Sequence, residues 1–369
     1  MNPRLRIVGV SDVSIGLGST IIVAFMNSVV SHYGADAILI EPDQPEVPPT
    51  RSRSFGFALK RISTLFHPHN HRAGHIEYIN RAAEEVENLQ PDILVIFCSY
   101  AIPVAFKVHR RPPMVIYYAI ELTSSYGKLH VEMGQYLNSV VDLIIYPEEN
   151  RAILEDTING SHVPSVVLYN CANKKESISS ILPIEDRNGR ILYSGTLDLR
   201  QTCFDYFLDK KMRPIPVDLF GRPSGIEKTA TEKSLNDLRG EVRYMGYVEN
   251  TVLEELRNRY CYSIVIWRPL DDNHFYAAPN KFFEAISSGV PPITAPHPQC
   301  KMLVERYRCG IIMRDWTFEA FYESIQRALS IYHSSRYSEM VDNCRKAIIE
   351  ELNWETQFDK VKPYLPERS

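Results

Sequence analysis

Ala278-Pro279-Asn280-Lys281-Phe282-Phe283-Glu284-Ala285-Ile286-Ser287-Ser288-Gly289-Val290-Pro291 carries the start and stop signals of one short helix. Pro279 and Asn280 suit a helix entry, and Gly289 followed by Pro291 and Pro292 ends it. Phe282, Phe283, Ala285 and Ile286 make an apolar face, while Lys281, Glu284 and Ser288 fall at i, i+3 and i+7 on another. A helix N-terminus beside a lysine and a carboxylate can hold a nucleoside diphosphate. The dipole and the ammonium meet the phosphates, and the carboxylate accepts from a ribose hydroxyl pair. The same residues also make an ordinary amphipathic surface helix in which Lys281 pairs with Glu284. The stretch alone does not choose between the two.

Outward from this helix the pattern is regular. Strand-like runs at 263–267 and 292–295 flank it, and others stand at 190–193, 216–220, 242–244 and 310–313, with helical segments between. Residues 170–187 lose the pattern and read as a linker. Before them the alternation is repeated: strands at 5–10, 36–40, 92–97, 114–118, 142–146 and 165–169, helices at 20–33, 77–89, 102–110 and 148–156. A chain of 369 residues is too long for one ordinary core. The expectation is an α/β protein of two Rossmann-like, doubly wound domains facing each other across a cleft. The domains would be residues 1–175 and 185–345, with a C-terminal helix, 346–369, packing back on the first.

Two stretches of the first half invite functional explanations. The loop after the first strand contains Gly16-Leu17-Gly18, where a phosphate or sugar could approach the backbone. With Glu41 at the end of the second strand it partly matches a dinucleotide fingerprint. However, Ile21 stands where the third glycine belongs, and five residues separate Val10 from Gly16, which weighs against a nicotinamide dehydrogenase. Between residues 51 and 76 lie Arg51, Arg53, Lys60, Arg61 and Arg72, four histidines (His67, His69, His71, His75) and no acid, interleaved with apolar side chains. This is either a basic amphipathic surface for an anionic acceptor or a membrane face, or a solvated helical hairpin. The His-Pro-His-Asn-His tract has a proline and no flanking carboxylate or cysteine, so an exposed loop is expected there in preference to a metal site.

Composition narrows the class. With 44% hydrophobic and 23% charged residues the chain is an ordinary globular protein, and a net charge of −4 speaks against nucleic-acid binding. No apolar run approaches the roughly 18 residues of a membrane span. The N-terminal strand pattern runs straight into polar residues, unlike a signal peptide. Seven scattered cysteines without a C-x-x-C pair suit reduced thiols, and the expected location is the cytoplasm, with peripheral contact to the inner membrane face through 51–76 as one option.

In order, Tyr193-Ser194-Gly195-Thr196, Leu219-Phe220-Gly221, Tyr244-Met245-Gly246-Tyr247-Val248 and Pro279-Asn280-Lys281-Phe282-Phe283-Glu284 with Gly289-Val290-Pro291 make a recognisable series. It resembles the GT-B glycosyltransferases, in particular family 4 of the retaining nucleotide-sugar transferases. In the first half, residues 116–122, Glu149-Asn150-Arg151-Ala152 and Val167-Leu168-Tyr169-Asn170 fit more loosely.

The resemblance implies a donor site of Gly16, Leu17, Gly18, Gly195, Thr196, Gly221, Arg222, Tyr247, Arg268, Tyr276, Asn280, Lys281 and Glu284. Lys281, Glu284 and Arg200 would carry the chemistry. The family's Arg and Lys after the first strand of the second half have no clean counterpart here; Arg200 is only the nearest basic residue, so Lys281 is the expected phosphate partner. Tyr118, Glu121, Arg51, Arg53, Lys60 and Arg61 would lie on the acceptor side, although Glu121 could equally be a buried structural carboxylate. No cofactor or metal is expected, because cationic side chains and helix N-termini would stabilise the leaving diphosphate. Uridine is the commoner base among the nucleotide donors of the resembling family. A carbohydrate or lipid-linked acceptor, such as a cell-surface polysaccharide precursor, would be the partner.

Two departures stand out. Tyr276 replaces the first of the family's paired glutamates, and Tyr118 and Ile120 stand where relatives often have aspartate and histidine, leaving no obvious base. A nucleotide-sugar epimerase or phosphorylase on the same scaffold, or a non-catalytic nucleotide-sugar binder, is the alternative.

Overall fold

The computed structural model describes residues 5–15, 20–44, 55–225 and 227–367. It divides into two compact units, Met1–Leu168 with Phe358–Ser369, and Tyr169–Gln357. Each is an α/β unit built on one parallel sheet.

The first sheet holds β1 (Arg6–Ser11), β2 (Asp36–Pro42), β3 (Ala58–Ile62), β4 (Ile93–Phe97), β5 (Met114–Tyr118), β6 (Leu143–Tyr146) and β7 (Ser165–Val167), in the order β3-β2-β1-β4-β5-β6-β7. All neighbours are parallel. The inner strands are buried on both faces, so they read as unbroken apolar runs such as Ile93-Leu94-Val95-Ile96-Phe97. Tyr78, Ile79, Ala82, Ala83 and Val86 of the helix Arg72–Leu89 pack on one face. The chain leaves β1 toward β2 and β3, then crosses to β4. Its direction of winding therefore reverses between β1 and β4, the place where open α/β sheets form ligand crevices at their carboxyl ends.

The second sheet holds β8 (Ile191–Ser194), β9 (Val217–Phe220), β10 (Val242–Gly246), β11 (Tyr262–Val265), β12 (Pro292–Thr294) and β13 (Ile311–Ile312), in the order β10-β9-β8-β11-β12-β13. Its strands are again parallel. Phe321, Ile325 and Ala328 of the helix Phe318–Ile331 join Ile191, Tyr193, Leu219 and Tyr262 in the core. Here the reversal lies between β8 and β11.

Several expectations need correction. Residues 51–76 do not form a helical hairpin where they are described: Ala58–Ile62 is β3, the edge strand beside β2. Arg61 is bound to the fully buried Glu41 (Nε to Oε1, 2.8 Å), and Lys60 pairs with Glu85 (2.6 Å). These two cations of the supposed acceptor surface are thus held by their own sheet and by the helix Arg72–Leu89. Arg51 and Arg53, and likewise Gly16, Leu17 and Gly18, lie outside the described residues. The stretch expected to be a linker contains the helix Lys174–Ser180, entered through an Asn173 cap that accepts from the Lys175 and Glu176 amides. Tyr118 is a core side chain: it is fully buried, with Phe25 edge-on at 5.4 Å and Phe97 stacked at 5.9 Å. No surface is left on it for an acceptor.

The helical tail comprises Ser335–Glu350 and Trp354–Asp359, with Asn353 at the break. Within the first unit, Phe358 lies edge-on to Phe25 at 6.0 Å, and the Tyr33 hydroxyl donates to the Pro366 carbonyl at 2.7 Å.

Candidate functional site

The quoted stretch folds as the helix Asn280–Ser287, capped by Pro279. Its apolar face is buried as the pattern requires, with Phe282, Phe283, Ala285 and Ile286 all in the interior. Asn280 is exposed at the first position. Lys281 turns toward the crossover of the second sheet. Its ammonium lies 4.7 Å from the centre of the Tyr193 ring on β8 and 5.5 Å from that of Trp267, just beyond β11. Burial lowers its pKa to about 8, an effect that the Glu284 charge opposes. No ion pair of Lys281 forms among the described residues.

The strand ends beneath this lysine are built for close approach. Gly195 follows β8 with φ +139°, and a Cβ there would lie 2.7 Å from the Lys281 Nζ. Gly221 follows β9 with φ +146°, and a Cβ there would come within 1.7 Å of the Gly195 carbonyl oxygen. Only glycine fits either position. The Gly195 amide donates to the Phe220 carbonyl and the Gly221 amide to that of Gly246, both at 2.9 Å, so three strand ends are tied into one rim. Beyond it the exposed Arg222 guanidinium stacks 3.6 Å over the Tyr247 ring.

Glu284 is half-buried and does not pair with Lys281. Its Oε2 accepts from Arg257 Nη2 at 2.7 Å, and Arg257 is almost wholly buried at the end of the helix Asn250–Arg257. Arg257 escaped the sequence reading. Its basic position in the last turn is ordinary, and nothing in the spacing ties it to a carboxylate 27 residues away.

Arg268 and Arg200 act on one loop. Arg268 donates from Nη1 to the Leu199 and Arg200 carbonyls at 2.8 and 2.9 Å, and from Nη2 to Asp205 at 2.7 Å. Asp198 caps the same turn by accepting from the Arg200 and Gln201 amides. Arg268 is therefore committed to backbone, while the Arg200 side chain is exposed. Thr196 is exposed as well, its carbonyl accepting from the Tyr193 hydroxyl at 2.7 Å. Tyr276 ends the short helix Asp272–Phe275 and packs edge-on to Phe275 at 4.9 Å. Beside Trp267, His297 is fully buried and stacked at 4.4 Å, and burial lowers its pKa to about 4, which leaves it neutral.

In the first unit, Glu121 is partly exposed and bound to the buried Arg151 at 3.3 Å. Among the described residues no group of three or more His, Cys, Asp or Glu is placed to hold a metal ion, and no helix is long and apolar enough to cross a membrane.

Known structures share this architecture. Sucrose-phosphate synthase from Thermosynechococcus elongatus is 15% identical, with 98% of each chain covered and a TM-score of 0.73. HepE from Anabaena, solved in complex with UDP-glucose, is 12% identical over 97% of this chain and 98% of that one, with a TM-score of 0.73. The UDP-forming trehalose-phosphate synthase from Burkholderia vietnamiensis is 11% identical over 97% and 99%, with a TM-score of 0.67. The fold is that of the GT-B glycosyltransferases. By sequence, no protein-family model matches the chain, and no curated protein does.

Proposed function

We propose that this chain is a glycosyltransferase that takes a sugar from a nucleotide donor, UDP-sugars foremost, and passes it to a hydroxyl acceptor. The observation that carries this is the Lys281 ammonium, half-buried against two aromatic rings above a rim of glycines at the crossover of its sheet. A diphosphate supplies the counter-charge, and the glycines let its oxygens reach the backbone. The likeness to HepE solved with UDP and with UDP-glucose supports uridine as the base.

In this scheme Lys281 meets the β-phosphate and stabilises the charge that grows as the glycosidic bond breaks. Removal of one such contact costs about 10²–10³ in rate. Glu284, oriented by Arg257, receives the ribose hydroxyls. The Arg222–Tyr247 stack presents a flat face to the base, and Arg268 fixes the loop from which Arg200 reaches the donor. A departing phosphate oxygen takes the acceptor proton on the leaving-group side, so the anomeric configuration is retained without a protein base or a metal.

Incubation with a panel of UDP-sugars, with and without hydroxyl acceptors and with a chelator, tests this. The expected result is acceptor-dependent UDP release that survives chelation, with NMR showing product of the donor's anomeric configuration. Conversion of the donor sugar without any acceptor would mark an epimerase. Tight UDP binding without turnover across the panel would mark a binder, in keeping with the Tyr276 departure.

A further inference from the structure

The first sheet has a site of its own at its crossover. Asp12 follows β1 and is 5% exposed, while Cys98 and Ser99 follow β4, with Ser99 3% exposed. Burial raises the Asp12 carboxyl against the lowering effect of His69, the Cys98 thiol and the Tyr100 amide, and its Oδ1 has no partner among the described residues. Ser99 Oγ and the Nδ1 of His130, itself 7% exposed, are likewise without one. Three buried polar atoms unpaired in one neighbourhood are costly, at about 1–3 kcal/mol each. That expense is ordinary where a ligand is meant to answer it. The Tyr100 ring ties the group together: His130 lies 4.8 Å from it, His75 5.3 Å, Tyr126 5.4 Å and His69 5.5 Å. Tyr126 is 41% exposed and forms the outer wall.

Among the described residues the balance of charge at this site is unfavourable to an anion. Burial, and after it the Asp12 and Glu121 charges, raise the Cys98 thiol and the Tyr126 hydroxyl. Arg151 is taken by Glu121. The imidazoles are engaged too: His69 bonds the Asp12 carbonyl at 2.5 Å and His75 the Tyr100 carbonyl at 2.8 Å. Burial raises Asp12 to about 6, which leaves it an ionised acceptor of hydroxyl protons at neutral pH.

We infer that Asp12, Ser99 and His130, walled by Tyr100 and Tyr126, bind the acceptor, and that this acceptor is a neutral pyranoside and not an anionic one. An uncharged sugar offers hydroxyls to the three unpaired atoms and an apolar face to the tyrosines, and it feels no repulsion from the two carboxylates. This rests on the glycosyltransferase reading, and of the basic segment at 51–76 it uses only His69 and His75, which flank Tyr100.

The test uses the full chain. Methyl pyranosides are compared as acceptors with the same sugars as 6-phosphates and as uronates, while calorimetric titration of UDP monitors the donor side separately. The neutral sugars should exceed their anionic forms at least about tenfold in kcat/KM. Asp12→Asn and Tyr126→Ala should each raise the acceptor KM about tenfold, the loss expected for one hydrogen bond or one stacking face. Preference for the phosphorylated or carboxylated sugars, or an acceptor KM unmoved by both substitutions, would overturn the inference while UDP binding leaves the donor reading standing. A chain that binds no UDP would remove both.

Discussion

At the scale of single residues, the account turns on one ammonium. Lys281→Ala should weaken UDP binding and slow donor turnover by about 10²–10³. The lysine is charged below its pKa of about 8, so UDP affinity should fall as pH rises through that value, whereas a Lys281→Arg variant should hold its affinity. The stability of the free protein moves the other way. The folded pKa lies below the ordinary lysine value of 10.5, so between about 8 and 10.5 the unfolded chain binds more protons and stability rises with pH. Thermal melts across that window, with Lys281→Met as the reference, check the sign; a parent curve parallel to the variant's would refute it. Gly195→Ala puts a Cβ 2.7 Å from the Lys281 Nζ at a backbone angle side chains rarely adopt. It should displace the lysine and abolish UDP binding, as titration would show.

At the scale of elements, the strands announced themselves, with the edge strand β3 as the exception. The inner strands are buried on both faces, so their apolar runs could be placed closely from residue types alone, and the helix at 280–287 from its proline and glycine punctuation. β3 was missed because an edge strand with one wet face spaces its apolar residues loosely, and Lys60 and Arg61 resemble solvated charges until their partners are seen. The site was legible to the extent that it is local. Lys281, Gly195 and Gly221 carry signals in type and position, while the Arg257–Glu284 pair and the Asp12 cluster arise from chain segments that sequence spacing does not connect. Because β3 is anchored through Glu41, Arg61→Ala leaves a buried carboxylate without its cation. A loss of about 3 kcal/mol is expected in denaturant melts; a change below about 0.5 kcal/mol would show that the pair is incidental.

At the scale of the whole molecule, the chain repeats one design. Each unit is a parallel sheet that reverses its winding beside its first strand, and each places a polar cluster at that reversal: Gly195, Trp267 and Lys281 in the second, Asp12, Ser99 and Tyr100 in the first. Binding that favours the folded state adds about 2.7 kcal/mol of apparent stability at 100 times the dissociation constant, so UDP should raise the melting temperature of the parent protein. The most direct measurement is a calorimetric titration of UDP into the parent and into Lys281→Ala. The account predicts a saturable one-to-one isotherm for the parent and an affinity lower by about tenfold or more for the variant. Equal affinity in the two proteins, or no heat of binding in either, would contradict it.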